Sequence, residues 1–272
     1  MKIDLHLHTS FSDGKLSPQA LLRNAAENHY SYISITDHDT FMGYLDAQKY
    51  IHKYNIELIP GVEISTMLDH TEVHILAYYC DLGNEALNNL LQEVYDSRYG
   101  RAMQMVKNLE AFDIYLDWQD VLVYAGENKY IGRPNIARAL LEHGFVKTFK
   151  EAFDRYLHND SPAYVPKLKV DTEYVIQTIK KAKGLSVLAH PVRLPDDSLI
   201  FTCIDMGIDG LEVYYAAQDT SQTRLYEQIA VENKLIRTGG TDFHQGELSN
   251  LVNYSAPDIC IKELKAAYER IR

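Results

Sequence analysis

Two histidines near the amino terminus have the spacing of paired metal ligands. In the segment Asp4-Leu5-His6-Leu7-His8, alternate residues of an extended strand point to the same side, so Asp4, His6 and His8 share one face. Two imidazoles that converge at the end of a strand supply the nitrogen ligands that a transition-metal ion needs. The segment therefore predicts a metal site that residues from elsewhere in the chain must complete.

Further histidines and carboxylates occur where other short apolar runs end. These segments are Thr36-Asp37-His38-Asp39, Gly61-Val62-Glu63, Ala189-His190-Pro191 and Thr241-Asp242-Phe243-His244. His74 lies within the apolar run Val73–Tyr79, on the same face as Leu76 and Tyr78. Because the parallel strands of a β/α barrel all end on one rim, residues that are distant in sequence become neighbours there.

The hydrophobic pattern predicts the elements that would position these residues. Short apolar strands alternate with longer amphipathic segments, which indicates β/α units around a mostly parallel sheet. A helix over Ser17–His29 begins with a Ser17-Pro18 cap, and Asp171 is the expected cap of a helix over Thr172–Ala182. The predicted strands are Lys2–His6, Tyr32–Thr36, Ile56–Val62, Val73–Tyr79, Leu185–Ala189, Gly210–Val213 and Leu235–Thr238.

Residues 98–163 interrupt the alternation of strands and helices. Helical periodicity occurs in this segment without a convincing strand, at Met103–Phe112, Trp118–Ala125, Asn135–His143 and Phe149–Leu157. We therefore predict a small helical insertion at 98–163 in a barrel domain formed by 1–97 and 164–272.

Composition and charge exclude several classes of protein. The 272 residues are 46% hydrophobic and carry a net charge of −11, which argues against a basic surface for extended duplex nucleic acid. No apolar run approaches the roughly 20 residues that span a membrane and no signal peptide pattern is present, so we expect a cytoplasmic location and no membrane partner. Three distant cysteines predict neither a disulfide framework nor a thiolate zinc site.

Five motifs together resemble the PHP family (polymerase and histidinol phosphatase domains). They are Asp-Leu-His-Leu-His-Thr at residues 4–9, Thr-Asp-His-Asp at 36–39, Pro-Gly-Val-Glu-Ile-Ser at 60–65, Ala-His-Pro at 189–191 and Gly-Gly-Thr-Asp-Phe-His at 239–244. Ser12-Asp13-Gly14 and Gly132-Arg133-Pro134 are similar to the stand-alone phosphoesterase branch. That branch includes nucleotide 3′,5′-bisphosphate phosphatases and 5′-to-3′ exonucleases of short RNA.

The resemblance implies an α/β fold, a distorted seven-stranded (β/α) barrel with a small helical insertion, and three clustered divalent metal ions. One ion would be held by His6, His8, Glu63 and Asp242. Glu63 would bridge to a second ion held by His74 and His190, and Asp13, His38 and His244 would hold the third. Six imidazoles and three carboxylates without a thiolate favour Mn, Fe, Zn or Co over calcium or an iron–sulfur cluster, and Mn, Fe or Zn are the ions we expect.

The chemistry implied for this centre is hydrolysis of a phosphoester by metal-activated hydroxide. The expected catalytic residues, all metal ligands as well, are Asp13, His38, Glu63, Asp242 and His244. Asp37, Asp39 and Glu212 are predicted at strand ends, where each either orients a ligand imidazole or caps a turn. The expected substrate is a small phosphorylated molecule, a nucleotide of the 3′,5′-bisphosphate type or short 5′-phosphorylated RNA.

Four residues are candidates for substrate contacts. Arg133 and Arg193 have the planar guanidinium that binds two phosphate oxygens at once, and Lys167 is a weaker candidate. Relatives carry histidine at the position of Asn135, whose amide can donate a hydrogen bond but cannot act as a general acid. The sequence leaves the general acid unidentified.

Three other functions stay open at this point. Histidinol phosphate phosphatase belongs to the same family, although Asp13 and the insertion favour the other branch. Amidohydrolases that cleave C–N bonds also place His-x-His on a first barrel strand, but they use a lysine bridge or a strand-end lysine that these strands lack. A non-catalytic metal-binding module is the least favoured, because structural metal sites close on four ligands.

Overall fold

The computed structural model describes residues 1–125, 130–244 and 253–272. Contacts divide the chain into two compact units, one formed by Met1–Leu91 with Lys169–Arg272 and the other by Gln92–Leu168. We refer to them as the barrel unit and the helical unit. The boundaries at 98 and 163 remain a prediction. The contact division falls instead after Leu91, within the helix Glu85–Asn108, and after Leu168, which is outside any helix.

Seven strands of the barrel unit form one sheet in sequence order, which confirms the predicted fold class. β1, β2 and β3 are parallel, β4 is antiparallel to both neighbours, and β5, β6 and β7 are again parallel. The strands are β1 (Lys2–Leu7), β2 (Tyr30–Ile35), β3 (Glu57–Leu68), β4 (Thr71–Tyr78), β5 (Leu185–Leu188), β6 (Gly210–Tyr215) and β7 (Ile236–Gly240).

The β3–β4 hairpin is the main departure from the predicted arrangement. β3 continues six residues beyond its predicted end at Val62, and the turn at Asp69 has a positive φ of 54°. The returning strand pairs His74 with Ser65. Because β4 is antiparallel, its first half lies at the carboxyl end of β3, and this brings His74 to the rim where the parallel strands end.

The sheet is nearly closed into a barrel by contacts between the last strand and the first. The amide of Asp242 donates to the carbonyl of His6 at 2.9 Å, and the amide of His8 donates to the carbonyl of Phe243 at 3.0 Å. A side chain at Gly240 would lie 2.3 Å from Cβ of His6, so only glycine allows this close approach. Closure therefore places the first histidine motif, which contains His6 and His8, beside the last one, which contains Asp242.

Amphipathic helices cover the sheet, and both predicted caps are confirmed. The Ser17 hydroxyl accepts from the Ala20 amide, and the Asp171 carboxylate accepts from the Tyr174 amide. Among the described residues, no helix is long and apolar enough to cross a membrane. The helices with residues in the barrel unit are α1 (Pro18–Glu27), α2 (Met42–Gln48), the start of α3 (Glu85–Asn108), α7 (Thr172–Lys181), α8 (Ser198–Asp205), α9 (Thr220–Glu232) and α10 (Asp258–Ile271).

The helical unit has a hydrophobic core of its own. The rest of α3 is followed by α4 (Trp118–Leu122), α5 (Arg133–Glu142), α6 (Phe149–Ala152) and a π-helical turn at Phe153–Leu157. Buried side chains from all of these helices pack together, with Leu109, Ile136 and Leu157 fully buried. The predicted helical periodicity of this segment is thus present in the structure.

Candidate metal centre

Four buried atoms on the barrel rim face each other without hydrogen bonds. They are Nε2 of His6 and His8, Oε2 of Glu63 and Oδ1 of Asp242. The two nitrogens lie 3.1–3.4 Å from the two oxygens. Ligands bound at about 2.1 Å to one transition-metal ion, about 100° apart, are themselves separated by about 3.2 Å. The four residues therefore fit one divalent transition-metal ion.

Glu212 on β6 holds the His6 imidazole in the orientation that this fit needs. Its carboxylate oxygens lie 3.0 and 3.2 Å from His6 Nδ1, which leaves Nε2 directed at the cluster. One of the same oxygens accepts the backbone amide of His190 at 2.7 Å. A buried carboxylate behind an imidazole fixes its tautomer and raises its basicity as a ligand.

His8 is supported by a second chain of hydrogen bonds that runs through a serine. His8 Nδ1 lies 3.4 Å from the Ser12 hydroxyl, which donates to Asp37 at 2.6 Å. Asp37 also accepts from the amide and the hydroxyl of Thr9 at 2.7 and 2.6 Å. A side chain at Gly43 would lie 1.8 Å from an Asp37 oxygen, so this carboxylate occupies space that glycine leaves free.

Glu63 presents its two carboxylate oxygens to different sets of imidazoles. Oε1 lies 2.9 Å from both His74 Nδ1 and His190 Nε2. Oε2 lies 3.1 Å from His38 Nδ1, in addition to His6 and His8. A carboxylate with this arrangement is suited to bridge two ions. His38, Glu63 and His74 also have donor atoms close enough together to share an ion.

A third group forms around Asp13. Its Oδ1 lies 3.0 Å from His244 Nε2, and its Oδ2 lies 3.8 Å from His38 Nε2. His8 stacks on His244 with ring centroids 4.0 Å apart, and its Nδ1 lies 3.7 Å from Asp13. His244 Nδ1 donates to the Asp242 carbonyl at 2.8 Å, which leaves Nε2 for a ligand role. This group thus contains His8 as well as the three residues that the resemblance assigned to it.

The charges of these groups perturb one another strongly. Burial lowers the pKa of His38 to about 3, which keeps this imidazole neutral and able to bind a metal ion at neutral pH. Burial also acts on Asp13, but the imidazoles of His38 and His244 outweigh it and hold the pKa of this carboxyl below its ordinary value. Perturbed titratable groups clustered on one rim are typical of a functional site.

Three of the nine non-glycine residues with a positive φ in the described part of the chain lie just after strands on the rim. His190 has a φ of 29°, Asp242 of 53° and Asp39 of 58°, all in the left-handed region that residues with a side chain seldom adopt. Hydrogen bonds stabilise each of them: the Asp39 carboxylate, for example, accepts from the Ser65 amide at 2.8 Å. Such conformations cost about 1–3 kcal/mol each and persist where the surroundings enforce them.

Glu72 is a site residue that the sequence reasoning missed. Its carboxylate lies 3.1 Å from His74 Nε2, on the side of the ring opposite to the Glu63 contact. Glu72 and His74 are two residues apart on β4 and share a face. The alternation Glu-x-His on a strand was the signal that could have identified this carboxylate.

Arg193 is the candidate substrate contact that belongs to the barrel unit, and it lies beside the metal-ligand cluster. Its Nη2 is 2.8 Å from Asp242 Oδ2 and also bonds the Tyr215 hydroxyl, while 54% of its side chain is exposed. The other carboxylate oxygen of Asp242, Oδ1, faces His6 and His8. An exposed guanidinium in this place is suited to bind an incoming anion.

The other three candidates belong to the helical unit, where two of them make local structural bonds. Arg133 donates to the Leu157 carbonyl and to Asn159, both at 2.9 Å. Asn135 accepts from the Gly132 amide at 2.8 Å and donates to the Tyr124 carbonyl, so its amide completes the first turn of α5. Lys167 is half-buried in the segment that follows the π-helical turn.

Asp37, Asp39 and Glu212 were each expected either to orient a ligand imidazole or to cap a turn, and the structure shows the contacts that each one makes. Glu212 contacts the His6 imidazole directly, and Asp37 reaches His8 through Ser12. Asp39 instead bonds the backbone and hydroxyl of Ser65, which joins the end of β2 to β3.

The chain is similar to known phosphoester-cleaving enzymes over most of its length. The 5′-3′ exoribonuclease Rnm of Salmonella typhimurium is 32% identical over 249 residues, which cover 89% of this chain and 85% of that protein. The 3′,5′-nucleoside bisphosphate phosphatase of Chromobacterium violaceum is 30% identical over 266 residues, 95% of this chain and 93% of that protein. These relatives confirm the predicted class of enzyme, a hydrolase of phosphoester bonds.

Two solved structures have the same fold. A Bifidobacterium adolescentis protein, assigned as a metal-dependent phosphoesterase, superposes with a TM-score of 0.83 at 32% identity and covers 97% of this chain and 96% of that one. A Chromobacterium violaceum protein, described as an amidohydrolase with bound sulfate and no metal, also has a TM-score of 0.83, at 29% identity and with 98% of this chain and 97% of that one covered.

The PHP domain family model matches residues 4–185, a span that includes both strands of the β3–β4 hairpin and the first of the histidine motifs. Relatives above 30% identity, a barrel of seven strands and a rim of histidines and carboxylates agree with that match. The chain belongs to the PHP domain family.

Proposed function

We propose that this protein is a phosphoesterase that uses three divalent metal ions, Mn, Fe or Zn, to hydrolyse phosphate esters of nucleotides of the 3′,5′-bisphosphate type or of short 5′-phosphorylated RNA. The observation that carries the proposal is the set of four buried, unbonded donor atoms of His6, His8, Glu63 and Asp242. Buried polar atoms are almost always hydrogen-bonded, so four such atoms that face one point fit a bound cation.

The proposed ligand groups are those that the family resemblance implies, and the short distances on the rim support them. The first ion would be held by His6, His8, Glu63 and Asp242. Glu63 Oε1, with His74 and His190, would hold the second, and Asp13, His38 and His244 would hold the third. Divalent ions in such a centre supply a nucleophile at neutral pH and compensate the charge of the phosphoryl oxygens.

The protein's own groups would bind and orient the substrate. The Arg193 guanidinium is held by Asp242 and Tyr215, so it can present its exposed edge to the non-bridging oxygens of a phosphate group. Glu212 and Ser12 keep Nε2 of His6 and of His8 directed inward. The burial of these supporting residues excludes water from the back of the centre.

Substrate identity is tested with purified, Mn-loaded protein. The panel contains adenosine 3′,5′-bisphosphate, mononucleotides, histidinol phosphate, short 5′-phosphorylated RNA and an acyl amide. We expect phosphate release from the bisphosphate or nucleotide release from the RNA, at rates well above those for histidinol phosphate. Hydrolysis of the amide without any phosphoester would instead favour the amidohydrolase alternative.

A further inference from the structure

A carboxylate on β4 faces the outer nitrogen of a proposed metal ligand. Glu72 Oε1 lies 3.1 Å from His74 Nε2, and Glu63 Oε1 lies 2.9 Å from His74 Nδ1 on the other side of the ring. Glu72 and His74 are two residues apart on the strand and pair with Met67 and Ser65 of β3, so their side chains lie on the same face of the hairpin. The His74 imidazole is therefore held between two carboxylates.

The two ring nitrogens of His74 have different roles in this arrangement. A neutral imidazole carries one N–H and one lone pair. When the Nε2–H donates to Glu72, the lone pair lies on Nδ1, which is directed at Glu63 and at the place proposed for the second ion. Three other proposed ligands instead turn Nε2 toward the Glu63 carboxylate, namely His6, His8 and His190. The reversed ring of His74 therefore requires an acceptor on its Nε2 side, and Glu72 supplies it.

Glu72 differs from the other carboxylate behind a ligand imidazole, Glu212, in its exposure to water. The side chain of Glu212 is fully buried, whereas 39% of the Glu72 side chain and 18% of the His74 side chain are exposed. Water can replace part of the acceptor role of a half-exposed carboxylate, and salt screens its charge. The loss of Glu72 should therefore weaken metal binding by about tenfold, the lower end of the range for groups that orient a metal-ligating histidine.

We propose that Glu72 is a positioning residue for the second divalent ion: it accepts the Nε2–H of His74, fixes the tautomer that binds through Nδ1 and strengthens the binding of this ion alone. The inference rests on the proposed metal centre. It adds a residue outside the proposed ligands and assigns one nitrogen of His74 as the ligand atom. The first ion has four donor atoms of its own, so it should keep its affinity when Glu72 is replaced.

Nitrogen NMR of the full-length, Zn²⁺-loaded protein with isotope-labelled histidine identifies the ligand atom directly. Zinc is diamagnetic, so correlations between ring nitrogens and ring protons distinguish the metal-bound nitrogen from the protonated one. We expect His74, assigned by the signals lost in His74→Gln, to bind zinc through Nδ1 and to carry its proton on Nε2. Binding through Nε2 would overturn the proposal while leaving the metal centre in place. If zinc does not change the His6 and His8 signals either, the proposed metal centre fails as well, so the two failures are distinguishable.

Competition titrations of the same protein with Zn²⁺ against a chromophoric chelator measure how selectively Glu72 acts. In Glu72→Ala we expect one ion to bind about tenfold more weakly and the others to keep their affinity. Glu72→Gln retains an oxygen that can accept the Nε2–H of His74, so it should recover most of the lost affinity. Equal weakening of every ion in Glu72→Ala, or no weakening of any, would overturn the proposal, and so would a loss in Glu72→Gln as large as in Glu72→Ala.

Glu57→Ala is the matched control for the removal of one negative charge. Glu57 lies on the neighbouring strand β3 with 48% of its side chain exposed, and its carboxylate accepts from Lys265 at 2.7 Å. We expect this variant to bind every ion with unaltered affinity. A loss equal to that in Glu72→Ala would show that the net charge of the barrel unit sets the affinity, and it would overturn the role proposed for the contact between Glu72 and His74.

Discussion

Replacement of Glu212 by glutamine should weaken metal binding without preventing folding. The carboxylate accepts from His6 Nδ1 at 3.0 and 3.2 Å and from the His190 amide at 2.7 Å, and it is fully buried. Glutamine has the same shape but only one acceptor oxygen. With its oxygen in the place of Oε1, the His190 amide loses its acceptor, and with its oxygen in the place of Oε2, the NH₂ group and the His6 imidazole N–H become two donors facing each other at 3.0 Å.

The size of the effect follows from that lost bond. A buried donor without a partner costs about 1–3 kcal/mol. Loss of a group that orients a metal-ligating histidine typically weakens metal binding about 10–100-fold, which corresponds to about 1.4–2.8 kcal/mol. The two estimates agree, so we expect the dissociation constant for Mn²⁺ or Zn²⁺ to rise by one to two orders of magnitude in Glu212→Gln.

The assay is a competition titration against a chromophoric chelator, with thermal unfolding as the check that the variant is folded. Glu232→Gln is the control, because this carboxylate is exposed at the end of α9 and accepts a hydrogen bond only from Gln228 within the described part of the chain. The control should bind metal with unaltered affinity. A folded Glu212→Gln variant whose metal affinity stays within twofold of the original would refute the role assigned to Glu212.

Three other changes have expected outcomes that follow from the same geometry. Ser12→Ala removes the hydroxyl between His8 and Asp37, so we expect about tenfold weaker metal binding in a chelator competition, with unfolding temperature little changed. Arg193→Gln should raise KM for a phosphoester about tenfold or more while the metal content measured by mass spectrometry stays constant, and a drop in metal content would contradict a role in substrate binding. Removal of metal by a chelator should lower the unfolding temperature measured by calorimetry, because an ion present at 100 times its dissociation constant stabilises the fold by about 2.7 kcal/mol, and an unchanged temperature would argue against a bound ion.

Local patterns made most of the barrel predictable. Most strands are short apolar runs, and the histidines and carboxylates that follow them are adjacent in sequence. The strands and the residues at their ends could therefore both be predicted from local sequence. The caps at Ser17 and Asp171 are also local. The β3–β4 hairpin was not predicted, because residues 63–68 mix polar and apolar side chains and nothing in them distinguishes a longer strand from a loop.

The detailed geometry of the centre depends on contacts between distant strands. The family resemblance implied a bridging role for Glu63, but which of its oxygens faces His38 and which faces His74 depends on the closed barrel. Asn135 shows the same limit in the helical unit. Its side chain bonds the Gly132 amide and the Tyr124 carbonyl, and the second contact joins segments that the sequence does not relate.

The most direct test of the central claim is a metal titration of catalysis. Full-length protein is stripped with a chelator and titrated with Mn²⁺ while phosphate release from adenosine 3′,5′-bisphosphate is followed. We predict no turnover in the stripped protein, saturable recovery as Mn²⁺ is added, and no recovery in the His6→Ala, His8→Ala double variant. Full turnover by the stripped protein, or recovery in the double variant equal to that of the original, would contradict a phosphoesterase centre at these residues.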